Sequence, residues 1–142
     1  MNNKVSEIFK REARAIESIP VSDSYEQVIE VIFNGVHKKG GKVITSGMGK
    51  AGQIAHNIAT TFSSTGTPSV FLHPSEAQHG DLGVLQENDV LLAISNSGKT
   101  REIIELIDLK NNLYPQVPVI VITGAEKSPL ALKADIVIST GA

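Results

Sequence analysis

The sequence has no cysteine in 142 residues, which excludes a disulfide framework and any thiolate-ligated metal site. Nor has it an excess of basic charge. Thirteen Lys and Arg against fifteen Asp and Glu give a formal charge of −2, whereas nucleic acid as the main partner leaves a basic footprint. Long apolar runs are missing too: the longest are about five residues, Val90 to Ile94 among them, far below the roughly 20 that cross a bilayer. The N-terminus is charged and amphipathic and carries no apolar core of the signal-peptide kind. The length suits one domain, able to bury about two-thirds of its unfolded surface. These features predict a cytoplasmic protein that works away from nucleic acid and membrane.

Two loops stand out against this background: Gly47-Met48-Gly49-Lys50-Ala51-Gly52 and Ser95-Asn96-Ser97-Gly98-Lys99-Thr100. Each follows a short apolar, β-branched run and opens onto a helix-period segment. That places both at the carboxyl ends of parallel strands, where the N–H groups of a helix start face solvent. Such a setting favours an anion, most often phosphate. A phosphorylated small molecule is the expected occupant.

Val5, Ile8, Phe9, Ile16 and Ile19 recur at helical spacing, which predicts an amphipathic helix ended by Pro20. Asp23-Ser24 followed by Glu26-Gln27 predicts an N-cap, with Val28, Ile29, Ile32, Phe33 and Val36 as the apolar stripe behind it and Gly40-Gly41 as the stop. These N-terminal helices (1–39) precede a core at 40–142. Strands are predicted at 42–46, 69–72, 89–94, 118–123 and 135–139. Helices are predicted at 49–64, 100–113 and 128–134, and 75–81 reads as a loop with room for one helical turn. Three strands are nearly continuous apolar runs, which suits a parallel sheet covered on both faces. The alternation implies right-handed crossovers and a three-layer α/β sandwich. Ligands sit where strand order reverses. The two polar loops follow the first and third strands, and a flavodoxin-like order of 2-1-3-4-5 puts those strands side by side. The dinucleotide order would pair the first strand with the fourth, whose loop, Thr123-Gly124-Ala125-Glu126, is a less convincing anion cradle.

Gly47-x-Gly49-x-x-Gly52 matches the dinucleotide fingerprint letter for letter. That reading also demands an acid at the end of the second strand, about 20 residues on, to hold the ribose. Leu72-His73-Pro74 occupies that place, so no nicotinamide or flavin cofactor is expected. Lys50 lies inside the presumed crevice, at a helix start where the dipole disfavours a cation, and such inconsistencies cluster at functional sites. Ser95, Asn96, Ser97 and Thr100, with the N–H groups of Gly98, Lys99 and Thr100, are the candidate phosphate ligands; one helix cap needs only one hydroxyl. Glu102 falls in the first turn of the next helix, where the dipole alone favours an acid, and where it is equally available as a general base. His73, Glu76, His79 and Asp81 crowd the loop after the second strand. Their spacing matches no common zinc signature and Pro74 breaks the helix that would align them, so no metal is expected. Glu76 and His79, three apart, can face the ligand together. His37 and His56 read as surface residues.

The strings Gly47-Met48-Gly49-Lys50-Ala51-Gly52, Ser64-Thr65-Gly66-Thr67-Pro68, His73-Pro74-Ser75-Glu76-Ala77-Gln78-His79-Gly80-Asp81-Leu82-Gly83 and Ile94-Ser95-Asn96-Ser97-Gly98 resemble, in order and spacing, the sugar isomerase (SIS) domain of arabinose 5-phosphate isomerases. The resemblance runs from about Gly41 to Ser139. It implies the sandwich argued above, a homotetramer, and reversible conversion of ribulose 5-phosphate to arabinose 5-phosphate, the supply of 3-deoxy-manno-octulosonate (Kdo) for lipopolysaccharide or capsule. It places the family's crevice lysine on Lys50, an active-site glutamate on Glu102, the phosphate loop on Ser95 to Thr100 and the conserved loop histidine on His79. An aldose–ketose isomerase passes a proton between C1 and C2 through an enediolate, with no redox cofactor and no obligatory metal. It needs a base, an electrophile for the oxyanion and a phosphate anchor; Glu102, Lys50 and the Ser95 to Thr100 loop take those parts. Many relatives carry Glu where this sequence has Lys99. The family's second glutamate and a catalytic histidine fall beyond Ala142, so an incomplete domain is expected, and the CBS pair of many members is not in these residues. The other reading is a non-catalytic phosphosugar-binding module of the sensor kind.

Overall fold

The computed structural model describes residues 2–141. Helices α1 (Asn2–Glu17) and α2 (Ser24–Ile32) come first, and α2 runs on as a π-helical turn over Phe33–Lys38. Strand and helix then alternate: β1 (Val43–Gly47), α3 (Gly49–Ser64), β2 (Ser69–Phe71), α4 (Pro74–Ala77), a 3-10 turn at Asp81–Val84, β3 (Val90–Ile94), α5 (Arg101–Leu113), β4 (Val119–Thr123), α6 (Pro129–Leu132) and β5 (Ile136–Ser139). Every strand pair is parallel, and the order is β2-β1-β3-β4-β5, as the placement of the two polar loops predicts.

The strands are apolar at successive positions because both faces of the sheet are covered. Ile44, Leu91, Ala93, Val119 and Val121 point to one side, where they meet Leu72, Leu82, Ile103, Leu106, Ile107 and Leu130. Val43, Val90, Leu92, Ile94 and Ile120 point to the other, against Val28, Ile32, Val36 and Ala55. Each fully buried Leu or Ile contributes about 1.5–3 kcal/mol, so this two-sided burial fixes strand register. It also sends α3 to one face of the sheet and α5 to the other. The reversal of crossover direction between β1 and β3 is the crevice that matters below.

The opposite end of the sheet is pinned by polar groups. Asp89, 1% exposed, accepts from the Lys42 and Gln86 N–H groups and pairs with Lys42 Nζ at 2.8 Å. Lys110, at the end of α5, is 2% exposed. Its Nζ donates to the Val117 carbonyl at 2.7 Å, and burial lowers its pKa against a smaller opposing pull from Asp135.

Three local expectations are corrected. Asp23 does not cap α2: it is itself helical in conformation and makes no side-chain cap bond, while the Ser22 and Ser24 hydroxyls bond each other at 2.7 Å. The helix expected over 128–134 is shorter, because Lys133 and Ala134 bond back only three residues, to Leu130 and Ala131; that tight turn ends α6 at Leu132. Pro74 opens α4 at its first turn rather than breaking a helix, in keeping with a ring that needs no N–H partner there. Helix α1 ends before Pro20 as expected, but none of its residues is buried; Phe9 and Ile16 are each 69% exposed. Among the described residues no helix is long and apolar enough to cross a membrane.

Candidate functional site

Gly47 at the end of β1 pairs in register with Ile94 at the end of β3, so the two glycine loops leave the sheet side by side. In the first, glycine is required by close approach. A Cβ on Gly47 would come within 2.7 Å of the Ala51 carbonyl group, and one on Gly52 within 2.6 Å of the Gly47 oxygen. Gly49 has φ +58, a conformation that strains other residues. The loop thus folds tightly under the start of α3. Met48 lies in it, extended, and Lys50 stands exposed one residue into the helix.

The second loop is organised by its own hydroxyls. Ser95 is 2% exposed; its Oγ bonds Thr100 Oγ1 at 2.7 Å and accepts from the Gly98 N–H at 3.1 Å. The Ser97 hydroxyl accepts from the Lys99 N–H at 3.2 Å. Thr100 occupies the N-cap position of α5 without a side-chain cap bond, because its hydroxyl is turned to Ser95. Ser97 and Asn96 are exposed and Gly98 is buried. Of the four polar side chains read as phosphate ligands, Ser95 and Thr100 therefore hold the loop's shape, while Asn96 and Ser97 face solvent beside the α5 N-terminus. Thirteen residues of aligned peptide dipoles end here, which makes the place attractive to an anion. Glu102, half-buried, sits in the first turn of the same helix.

The loop after β2 reaches the same end of the sheet. His73 Nδ1 accepts from the Ser75 N–H at 3.3 Å and caps α4. Glu76, His79 and Asp81 are all exposed, and the His79 N–H donates to the Glu76 carbonyl at 2.9 Å. Gln78 ties this loop to α5 by donating to Glu105, whose carboxylate also pairs with Arg101 at 2.6 Å. The Arg101 hydrogen bond, then that of Gln78, holds the Glu105 pKa below the usual carboxylate value; the same pairing raises that of Arg101. Among the described residues no three His, Cys, Asp or Glu side chains are grouped to hold a metal ion.

A hollow of about 470 Å³ opens beside the first loop, lined by Gly47, Gly49, Gln53, His56, Phe71 and His73 among others. His56, read from sequence as a plain surface residue, lines it with its ring edge-on to Phe71. A second hollow of about 600 Å³ lies beyond the other loop, with Lys99, Gly124, Lys127, Ser128 and Ser139 in its wall. The walls of these two hollows include neither Lys50 nor Glu102.

The sequence reading set the third loop, after β4, aside as a less convincing anion cradle, and did not foresee that it braces the second. Thr123 is 1% exposed; its Oγ1 bonds the Asn96 carbonyl at 3.2 Å and accepts from the Ala125 N–H at 3.1 Å. The Gly124 N–H reaches the same Asn96 oxygen at 3.1 Å, and the Leu130 N–H bonds the Gly98 oxygen at 3.0 Å. This segment is not a cradle of its own but the back wall of the Ser95 to Thr100 loop. Thr-Gly at a strand end, with Ser128-Pro129 opening the next helix, is the signal that pointed to it.

A parallel sandwich with its switch point between two glycine loops defines an α/β domain of the flavodoxin-like, ligand-at-the-crevice class. Residues 36–142 match the SIS domain family, and the chain belongs to it. It is 41% identical over 141 residues to the arabinose 5-phosphate isomerase KdsD of Francisella tularensis, an alignment that covers 98% of this chain and 42% of that protein. The chain thus spans less than half the length of that curated relative. Among solved structures, a Bacteroides fragilis protein provisionally assigned as a phosphosugar isomerase involved in capsule formation superposes with a TM-score of 0.97 at 63% identity, covering 99% of this chain and 73% of that one. The c3406 protein of Escherichia coli CFT073, in complex with arabinose 5-phosphate, gives 0.86 at 34% identity, covering all of this chain and 76% of that one.

Proposed function

We propose that the chain is an aldose–ketose isomerase domain that interconverts ribulose 5-phosphate and arabinose 5-phosphate through an enediolate. The observation that carries this reading is the in-register pairing of Gly47 with Ile94, which sets a loop bearing a lysine beside a loop bearing an anion site and a glutamate. The kinship with a KdsD enzyme and with a protein that holds arabinose 5-phosphate narrows the sugar. The substrate phosphate docks at the α5 N-terminus on the Ser97 and Thr100 N–H groups and the Asn96 and Ser97 side chains. Glu102 removes the proton from one of C1 and C2 and returns it to the other, while the hydroxyl proton passes between O1 and O2. Lys50 stabilises the oxyanion that develops on the adjoining oxygen. His79, with Glu76 and Asp81 beside it, serves ring opening from the loop after β2. Electrons stay within the substrate, so the reaction balances without a redox cofactor.

The finer reading follows the family: a homotetramer in the cytoplasm, feeding Kdo synthesis for lipopolysaccharide or capsule. The bare α1 helix, with Val5, Ile8, Phe9 and Ile16 all outward, supports self-association, since apolar stripes of this kind are seldom left wet. The test is direct. Purified protein is given ribulose 5-phosphate and the anomeric proton signals of arabinose 5-phosphate are followed by NMR, beside a melting curve with the same sugar. Turnover is expected. Stabilisation without turnover favours the sensor-type reading, and neither effect refutes both.

A further inference from the structure

The peptide unit is planar and trans, so a carbonyl oxygen and the N–H that follows it point in opposite directions. Two carbonyls of the Ser95 to Thr100 loop are held from behind. Asn96 O is held by the Thr123 hydroxyl at 3.2 Å and the Gly124 N–H at 3.1 Å. Gly98 O is held by the Leu130 N–H at 3.0 Å. Anchoring these oxygens toward β4 and α6 turns the Ser97 N–H the other way, away from the back wall, and the Lys99 N–H toward the Ser97 hydroxyl, to which it donates at 3.2 Å. Of the three ties, only one is made by a side chain, and that side chain is 1% exposed. Thr123 Oγ1 is also fixed in direction, because it accepts from the Ala125 N–H at 3.1 Å and so has its own proton free for Asn96 O.

We propose that Thr123 is a positioning residue for the substrate phosphate: through Asn96 O it sets the aim of the Ser97 N–H without touching the ligand. The inference rests on the phosphate-loop reading given above. A donor that is aimed beforehand costs no reorganisation when the anion arrives, whereas a loop free to rock loses that advantage on every binding event. Chemistry at C1 and C2 lies at the other end of the substrate and does not pass through Thr123.

The test compares Thr123→Val, which keeps the shape and removes the hydroxyl, with Thr123→Ser, which keeps the hydroxyl. Inorganic phosphate is the probe, followed through backbone amide NMR shifts, and arabinose 5-phosphate is the substrate for kinetics. Thr123→Val should weaken phosphate by about five- to tenfold, the scale of one hydrogen bond. KM should rise by a similar factor, with kcat changed less than about twofold. Thr123→Ser should restore both. In the parent protein the Gly124 and Ala125 amides should shift together with those of Ser97 to Arg101, a measurement that stands even if the valine variant does not fold. Phosphate affinity unchanged in Thr123→Val, a loss confined to kcat, or silent Gly124 and Ala125 amides beside responsive Ser97 to Arg101 would each overturn the proposal and leave the phosphate loop standing. No response at Ser97 to Arg101 in the parent protein would overturn the phosphate-loop reading itself.

Discussion

Gly98 is where the candidate phosphate loop and its back wall are in direct contact, and replacing it by alanine probes both. Its φ is +63, a left-handed conformation that costs a residue bearing a Cβ about 1–2 kcal/mol. The added methyl group would also overlap the Oγ and Cβ of Ser128, with Thr123 Oγ1 next at 3.3 Å. Ser128 is 5% exposed and its hydroxyl accepts from the Ala131 N–H as the cap of α6, so it has nowhere to swing. Overpacking of this kind costs roughly 1–3 kcal/mol. Gly98→Ala should therefore lose about 2–5 kcal/mol, a large part of the roughly 5–15 kcal/mol of a typical domain. Ser128→Gly removes the obstacle and, as glycine is itself a tolerated cap, costs only a few tenths for the cap. In the double variant the steric part vanishes and the backbone part stays. Urea denaturation of the four proteins gives the cycle. A favourable coupling of about 1–3 kcal/mol is expected. A Gly98→Ala penalty below about 1 kcal/mol, or additive losses, would show that the two segments do not press on each other.

Lys50→Ala should lower kcat by about 10²–10³ while substrate affinity moves only a few-fold, since an oxyanion donor acts in the transition state; equal losses in binding and turnover would remove that role. Ser97→Ala should weaken 5-phosphate sugars about tenfold or more, from the loss of one hydrogen bond to a charged group worth roughly 1.5–3 kcal/mol, and an undiminished melting shift with arabinose 5-phosphate would count against the loop. Lys110 gives a pH test. Its folded pKa lies below its unfolded value, so the unfolded chain binds the extra proton in that window, and stability should climb as pH rises from the lowered folded value toward about 10.4. Lys110→Met should abolish that climb, and a variant tracking the parent in urea melts from about pH 7 to about pH 10 would contradict it.

The sheet was legible because its residues answer to two demands at once. A run such as Val90 to Ile94 is apolar at every position only if both faces are covered, and the structure places Leu91 and Leu92 in separate cores. Strand order was legible for a different reason: polar, glycine-rich loops after the first and third strands cluster only if those strands are neighbours. What escaped was set by competition among near-equal local choices. Asp23 and the serines beside it offer rival caps, and the structure uses none in the expected way. The π-helical turn at Phe33–Lys38 has no sequence mark. Lys110 reads as an ordinary basic residue near a helix end, yet its stem is long enough to reach Val117 O from a buried position.

At the candidate site the reading stopped at residue type. Hydroxyls in a turn are ambiguous between ligands and braces, and the structure divides them: Ser95 with Thr100 brace the loop, and Ser97 and Asn96 face outward. The glycine fingerprint carries the same ambiguity. Gly47 and Gly52 are required because β1, its turn and α3 approach within the space of a methyl group, a demand any tight strand–turn–helix unit makes, with or without a pyrophosphate above it. What separates a dinucleotide site from other anion crevices is therefore not the glycines but the end of the next strand. Here Leu72 is buried with its carbonyl taken by the Ser46 hydroxyl at 2.6 Å, and the following His73 is used as a helix cap. A ribose would find no carboxylate at that position. The proposed anion donors stand one strand over, at the start of α5, so a small phosphorylated ligand held there lies across β1 and β3 instead of running along β1 to β2. On the proposed reading Lys50, at the start of α3, and Glu102, in the first turn of α5, approach that ligand from the helices that follow the paired strands β1 and β3, and a crevice with a nucleotide-like fingerprint serves a sugar phosphate.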